Sequence, residues 1–209
     1  AGSHPLERTA GELTGGPGTR RTVYRREIGP RLPMLLCTNL LRLMSDPIRI
    51  QFVCLGNICR SPLAKVVFRD KVEEAGLDDH FEIASSGTGD WHIGDTADDR
   101  MRETARKHGH SLEDHRASQF QKEHLAEYDH VFVMDKNNLN DVLYFDEDDE
   151  YDGKVRLFRE FDPQPDSYQV PDPYYGERDG FEEVYNIVDR TAAVLLQRLI
   201  DEHDLQATT

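Results

Sequence analysis

The sequence predicts an α/β domain of three layers, with a four-stranded parallel sheet covered by helices on both faces. Three observations carry this. From about residue 48 onward, short apolar segments alternate with longer amphipathic ones, the pattern of β-α units. The first apolar run (Ile48, Ile50, Phe52, Val53) leads straight into a tight loop and a helix start at Ser61-Pro62. The chain has 209 residues, room for one domain of this kind plus an extension.

In order, the first strand is predicted at 48–54. The first helix covers 62–75, with Leu63, Val66 and Val67 on one face and Gly76 as its stop. Ser61 suits its N-cap and Pro62 its first position, where a missing N–H costs nothing. Phe81–Ser85 is the second strand, followed by a Gly-rich loop over 86–94. A helix over 96–108 begins with Asp98 and Asp99 and ends with Arg106, Lys107 and His108 before Gly109, as the helix dipole favours. A loop over 110–118 and a short helix over 119–126 lead to an apolar third strand at 130–134. A helix over 136–144, an acidic turn over 146–152 and a fourth strand at 155–158 follow. The long loop 159–177 carries Pro163, Pro165, Pro171 and Pro173. The last helix, 179–203, sets Phe181, Val184, Tyr185, Val188, Ala192, Leu195 and Leu199 at i, i+3, i+4, i+7 spacing. In parallel sheets of this kind ligands bind at the carboxyl ends of the strands, at the topological switch point.

Residues 1–44 read as a flexible N-terminal extension and 45–209 as the domain. Ala1-Gly2-Ser3-His4 has the look of a vector-derived remnant, and Met34 or Met44 is a candidate native start. Residues 5–31 are rich in Gly, Pro and Arg, and 32–44 are apolar enough for a short surface helix. The net charge of −15 is uneven: residues 1–45 hold seven Arg and three Glu, whereas the remainder holds 18 basic and 37 acidic residues. An acidic body argues against a nucleic-acid partner and fits a soluble protein. No run of about 18 apolar residues exists to span a membrane. Three cysteines, two of them in one loop, suit a reducing cytoplasm better than a disulfide scaffold.

That loop is Cys54-Leu55-Gly56-Asn57-Ile58-Cys59-Arg60-Ser61-Pro62. Between a strand and a helix N-terminus, its backbone N–H groups curl inward and favour an oxyanion. Arg60 adds a permanently charged fork for two phosphate oxygens. A helix N-terminus and a cation lower a thiol's pKa from roughly 8.5, so the field that binds phosphate also makes Cys54 a nucleophile. Asn57 tolerates the positive φ that a tight anion loop needs.

The string resembles the low-molecular-weight protein tyrosine phosphatases, whose loop reads Cys-x-Gly-Asn-x-Cys-Arg-Ser-Pro. The resemblance runs from about Ile48 to about Leu199. It implies a flavodoxin-like fold of the phosphotyrosine phosphatase I type and a two-step hydrolysis through phospho-Cys54, without metal or other cofactor. It places the general acid at Asp172 in Asp172-Pro173-Tyr174-Tyr175, where flanking prolines fix the loop. The same residue then acts as base toward water, and an acidic pH optimum is expected. Tyr174, Tyr175 and Trp91 are expected to wall a slot for the phenyl ring. Ser61 is expected to donate to the Cys54 sulfur, or to serve as an N-cap, or both. Ser86 and His115 align with the partners that brace Asn57, and Asp135 is expected to support the site. Cys59 is either a small buried apolar residue or, as the resemblance suggests, a thiol that traps oxidised Cys54 as a disulfide.

The expected partners are a phosphotyrosine-containing protein and inorganic phosphate or other oxyanions as product or inhibitors, with the chain acting as a monomer or weak dimer. The remaining histidines have no metal-ligand spacing. Three rivals share some of these features. An arginine phosphatase carries Thr where Ile58 stands and lacks the paired Tyr. An arsenate reductase needs further cysteines, and none follows Cys59. An inactive phosphotyrosine-binding module usually lacks the nucleophile or the acid, and Cys54, Arg60 and Asp172 are all present.

Overall fold

β1 (Ile48–Cys54) is the strand on which the sheet is built, and both of its neighbours run parallel to it. A computed structural model describes residues 46–207 apart from 147–149 and 152. β2 (Phe81–Gly87) lies on one side of β1, in the register Cys54↔Gly87. β3 (His130–Val133) lies on the other, and β4 (Val155–Leu157) follows as the far edge. The order β2-β1-β3-β4 means that the chain reverses its direction of travel across the sheet between β1 and β3. That is the switch point at whose carboxyl end a ligand crevice forms, and the Cys54 loop leaves from there.

Side-chain alternation divides the core into two layers. Ile48, Ile50, Phe52 and Cys54 of β1, with Phe132 of β3, face the larger cluster. It is filled by α1 (Arg60–Glu74), by α2 (Asp99–Lys107) and by α5 (Arg178–His203). Val53, Val131, Val133, Val155 and Leu157 face the other way. There they meet Leu125 of the one-turn α3 (His124–Glu127) and Val142 of α4 (Lys136–Leu143). Phe52 sits at the centre of the larger cluster, edge-on to Phe68 and Phe158 at 5.7 and 5.4 Å between ring centres. The predicted three layers and parallel strands are thus present.

Several boundaries differ from expectation. α1 begins at Arg60, so Ser61 and Pro62 lie inside its first turn, and no side chain caps it. The N–H groups of a first turn have no intrahelical partner in any case, so Pro62 is tolerated there. Gly76 ends α1 as expected, at φ +66°, with Leu77 N–H reaching back to Val72 O. β2 continues through Ser86 and Gly87, residues expected in the loop, because they stay paired with Val53 and Cys54 of β1; Gly87 also bridges to Gln119. That bridge also removes Gln119 and its neighbours from the predicted helix, leaving only 124–127 helical. α2 starts at Asp99 because Asp98 is its cap, its carboxylate accepting from Arg100 N–H. Phe158 leaves β4 for a 3₁₀ turn, Phe158–Phe161. The extension over 1–44 and part of the acidic turn lie outside the described residues.

The loop that carries Asp172 is tied down at both ends. Val170 N–H donates to Met134 O at the end of β3. At the start of the loop, Asp162 is buried between Arg159 (2.9 Å) and Arg190 of α5 (2.7 Å). Burial alone would raise the Asp162 carboxyl, but hydrogen bonds from Arg190 and Arg159 outweigh it and hold the group well below the usual carboxylate range. A depressed carboxyl contributes stability above its unfolded pKa that is lost as pH falls toward its folded value. Asp162→Asn would take from Arg159 and Arg190 the buried carboxylate they share and leave Arg159 only the exposed carboxylate of Asp166, at a cost of about 2 kcal/mol. Its melting temperature should fall below wild type's at pH 7, with the gap narrowing only below about pH 4. Equal melting temperatures at pH 7 would contradict this role.

Candidate active site

The loop from Cys54 to Arg60 turns back on its own sulfur. Asn57 N–H donates to Cys54 Sγ at 3.2 Å, and Ser61 Oγ donates to the same sulfur at 3.0 Å. Two donors converging on one buried sulfur suit it to carry negative charge. The turn is possible because Asn57 sits at φ +54°, in the left-handed region that Asn tolerates.

The Asn57 side chain is fully buried and its polar atoms are satisfied. Its Nδ2 donates to Ser61 Oγ (2.9 Å) and Ser85 Oγ (3.1 Å), and its Oδ1 accepts from Ser118 N–H (2.9 Å). His115 Nε2 lies 2.6 Å from Asn57 O. A carbonyl only accepts, so Nε2 carries the proton. Burial, more than the nearby cations, lowers the His115 pKa and keeps the ring neutral. The predicted His115 contact is present. The serine that Asn57 reaches is Ser85 rather than Ser86, because alternation along β2 turns their side chains to opposite faces. Ser86 offers only its carbonyl, to Ser61 Oγ at 3.2 Å. The single Ser61 proton is therefore shared between the nearer sulfur and the Ser86 carbonyl, and does not serve a helix cap. From the far side, Asp98 N–H holds Ile58 O at 2.9 Å.

Arg60 is buried and meets two carboxylates. Its Nη1 reaches Asp135 Oδ2 at 2.6 Å and Val170 O at 3.2 Å, and its Nη2 reaches Asp172 Oδ2 at 2.9 Å. These use three of the five guanidinium N–H groups. Burial works against the charge, but Cys54, Asp172 and Asp135 outweigh it and raise the Arg60 pKa. Asp135 is itself fixed as the cap of α4, accepting from Asn138 N–H. The other Asp172 oxygen accepts from Tyr174 N–H at 3.1 Å. Cys59 is buried and unbonded to Cys54. Burial first, then Asp98, pushes its thiol up, so it packs as a neutral group.

Cys54, Cys59, Arg60 and Asp172 line one cavity of about 70 Å³. That is small beside the roughly 300–1,000 Å³ of a drug-sized site. Loop residues Cys54, Leu55, Gly56, Ile58, Cys59 and Arg60 form its floor. Trp91 and His92 from the loop after β2, and Asp172, Tyr174 and Tyr175 from the loop before α5, complete the lining. His92 escaped the sequence reading. It lies over Gly56, where a Cβ would approach its Cδ2 to 3.0 Å, and its Nδ1 is 2.9 Å from Asp95 Oδ2. The only signal in the sequence was its place beside Trp91.

Asn57→Ala would delete three buried side-chain hydrogen bonds and a residue suited to positive φ. At about 1 kcal/mol per bond and about 1 for the backbone, the loss is roughly 3–4 kcal/mol. The melting temperature should fall by about 10 °C, which calorimetry would read. An unchanged value would show that the loop keeps its shape without Asn57.

Known proteins resemble this one in both sequence and architecture. Residues 49–205 match the family described as low molecular weight phosphotyrosine protein phosphatase. A low molecular weight protein-tyrosine-phosphatase of Streptomyces coelicolor is 45% identical over 150 residues, 71% of this chain and 91% of that protein. The crystal structure of a protein tyrosine phosphatase from Entamoeba histolytica, with Hepes in its active site, superposes with a TM-score of 0.71. It is 32% identical and spans 76% of this chain and 99% of that one. The tyrosine phosphatase Wzb of Escherichia coli K30, in complex with sulphate, gives a TM-score of 0.64 at 29% identity, over 75% of this chain and 99% of that one. Matched in this way over most of its length, the chain belongs to the low molecular weight phosphotyrosine protein phosphatase family.

Proposed function

We propose that the chain hydrolyses phosphotyrosine in proteins through a phosphocysteine intermediate, with Cys54 as nucleophile, Arg60 as phosphate holder and Asp172 as general acid and base. The observation that carries this is the meeting of three groups in one cavity: a sulfur with two converging donors, a buried guanidinium, and a carboxylate on that guanidinium.

In the first step Cys54 Sγ attacks phosphorus and the bond from phosphorus to the tyrosyl oxygen breaks. Asp172, protonated, gives its proton to that oxygen, since a phenolate leaves poorly without one. In the second step water attacks phosphorus, Asp172 takes the water's proton, and the S–P bond breaks to release inorganic phosphate. Ser61 Oγ, already 3.0 Å from the sulfur, stabilises the departing thiolate. Arg60 keeps two N–H groups free for phosphate oxygens, and a bound phosphate competes with Asp172 for the guanidinium. That competition frees the carboxylate to act on the leaving oxygen. Asn57, Ser85 and His115 hold the loop, and Asp135 orients Arg60.

The exposed Tyr174 and Tyr175 and the Trp91 wall suit an aryl ester. Phosphate and other oxyanions, as product or mimics, are expected to compete for the same floor. Two free cysteines fit a cytoplasmic setting, and among the described residues no helix is long and apolar enough to cross a membrane. Residues 45–209 are proposed to carry the activity alone, as a monomer or weak dimer.

The test is steady-state hydrolysis of a phosphotyrosine peptide, a phosphoserine peptide and phosphoarginine, in EDTA. Wild type should turn over phosphotyrosine best. Cys54→Ser should be inactive, and Asp172→Ala should lose about 10²–10⁴-fold in kcat. The alkaline fall in the wild-type rate should vanish in Asp172→Asn. Phosphotyrosine turnover that survives Cys54→Ser would overturn the mechanism, and a preference for phosphoarginine would overturn the substrate.

A further inference from the structure

The mouth of the cavity is apolar to an unusual degree for so acidic a chain. Trp91 is 61% exposed, Ile93 58% and Tyr175 93%. Water-facing side chains of this size, grouped at one site, mark a surface meant to be covered. The loop is also shaped to keep the indole there. A Cβ at Gly89 would lie 2.4 Å from the Trp91 ring, so only glycine lets the ring rest where it does. The patch is continuous with the cavity, because Leu55, Trp91, Tyr174 and Tyr175 belong to both. Whatever places a phosphotyrosine on the floor therefore lays its neighbouring residues on this rim.

Charge at the rim is one-sided. The cations nearby are already engaged: Arg100 with Asp98 and Tyr174 O, Arg178 with Glu103, and His92 with Asp95. Two exposed carboxylates are not. Asp90 immediately precedes Trp91, and Glu177 lies two residues beyond Tyr175; neither side chain has an ion pair or hydrogen bond among the described residues. Each follows or precedes a lining residue closely in the chain, Asp90 on the loop that carries Trp91 and Glu177 on the segment that carries Tyr175.

Resting on the proposed phosphotyrosine hydrolysis, we infer that the rim selects the residues flanking the phosphotyrosine: an extended segment with Lys or Arg beside it, to meet Asp90 and Glu177, and an apolar side chain to cover Trp91 and Ile93. Acidic flanks are disfavoured by the same carboxylates.

The experiment compares phosphotyrosine peptides of equal length with Lys and Leu flanks, Glu and Leu flanks, or Gly and Ser flanks, beside p-nitrophenyl phosphate. Two exposed charge pairs predict a kcat/KM about fivefold higher for the Lys–Leu peptide than for the Glu–Leu peptide, carried mainly by KM. The ratio should shrink with added salt and approach one in Asp90→Asn/Glu177→Gln. Replacing Leu by Ser in the Lys peptide should raise KM in wild type and less so in Trp91→Ala. Equal kcat/KM for all peptides, with p-nitrophenyl phosphate still hydrolysed, would overturn the rim's selectivity and leave the phosphatase assignment standing. So would self-association of the chain through the rim without peptide preference, which would assign the patch to a second copy. No turnover of any substrate would remove the proposed hydrolysis and this inference with it.

Discussion

A left-handed residue at the centre of the Cys54 loop is the constraint on which the site depends. With Asn57 at φ +54°, the chain beyond it turns back so that the Ser61 hydroxyl, as well as the Asn57 amide, reaches the Cys54 sulfur. In a right-handed conformation the chain beyond Asn57 would run elsewhere, and the sulfur would keep only the Asn57 amide. The conformation is not left to local preference. The Asn57 side chain is fastened to Ser61, to Ser85 on β2 and to the Ser118 backbone, and His115 holds its carbonyl. The fasteners come from three parts of the chain: α1, β2 and the 110–118 segment. The shape of the loop therefore depends on how these are folded together, and a fault in β2 or the 110–118 segment would reach the Cys54 sulfur.

A second demand is that a buried cation hold two carboxylates at the edge of a cavity of about 70 Å³, which Arg60 and Asp172 line. A buried charge is costly unless it is paired, and Arg60 is paired twice. The two partners differ in kind. Asp135 is locked by its duty as a helix cap, whereas Asp172 sits on an irregular loop and accepts a single backbone bond, from Tyr174 N–H. That difference suits one carboxylate to positioning and the other to chemistry. The loop still cannot wander, because Met134 and the buried Asp162 pin it to β3 and α5.

The sheet and the loop were legible in the sequence because their signals are local. Strand residues alternate or run apolar, and the nine-residue string carries its own chemistry. What was not legible depends on distance in the chain. Ser61 before Pro62 reads as a helix cap, yet its hydroxyl is drawn to a sulfur seven residues back. Ser85 and Ser86 are indistinguishable as letters, and only the register of β2 against β1 decides which faces Asn57. The extra length of β2 comes from its pairing with the end of β1, and the bridge from Gly87 to Gln119, more than thirty residues on, cancels the helix predicted there. His92 is part of the cavity through its place over Gly56, a contact no periodicity announces.

The central claim is that phosphate passes through the Cys54 sulfur. Rapid acid quench of the Asp172→Ala protein during turnover of p-nitrophenyl phosphate, followed by peptide mass analysis, tests it most directly. That substrate has a good leaving group, so the first step survives the loss of the acid while the second is slowed by the loss of the base. The account predicts a phosphoryl group on the peptide containing Cys54, absent in Cys54→Ser/Asp172→Ala. Phosphoryl label on another residue, or undiminished turnover with no labelled Cys54, would contradict it.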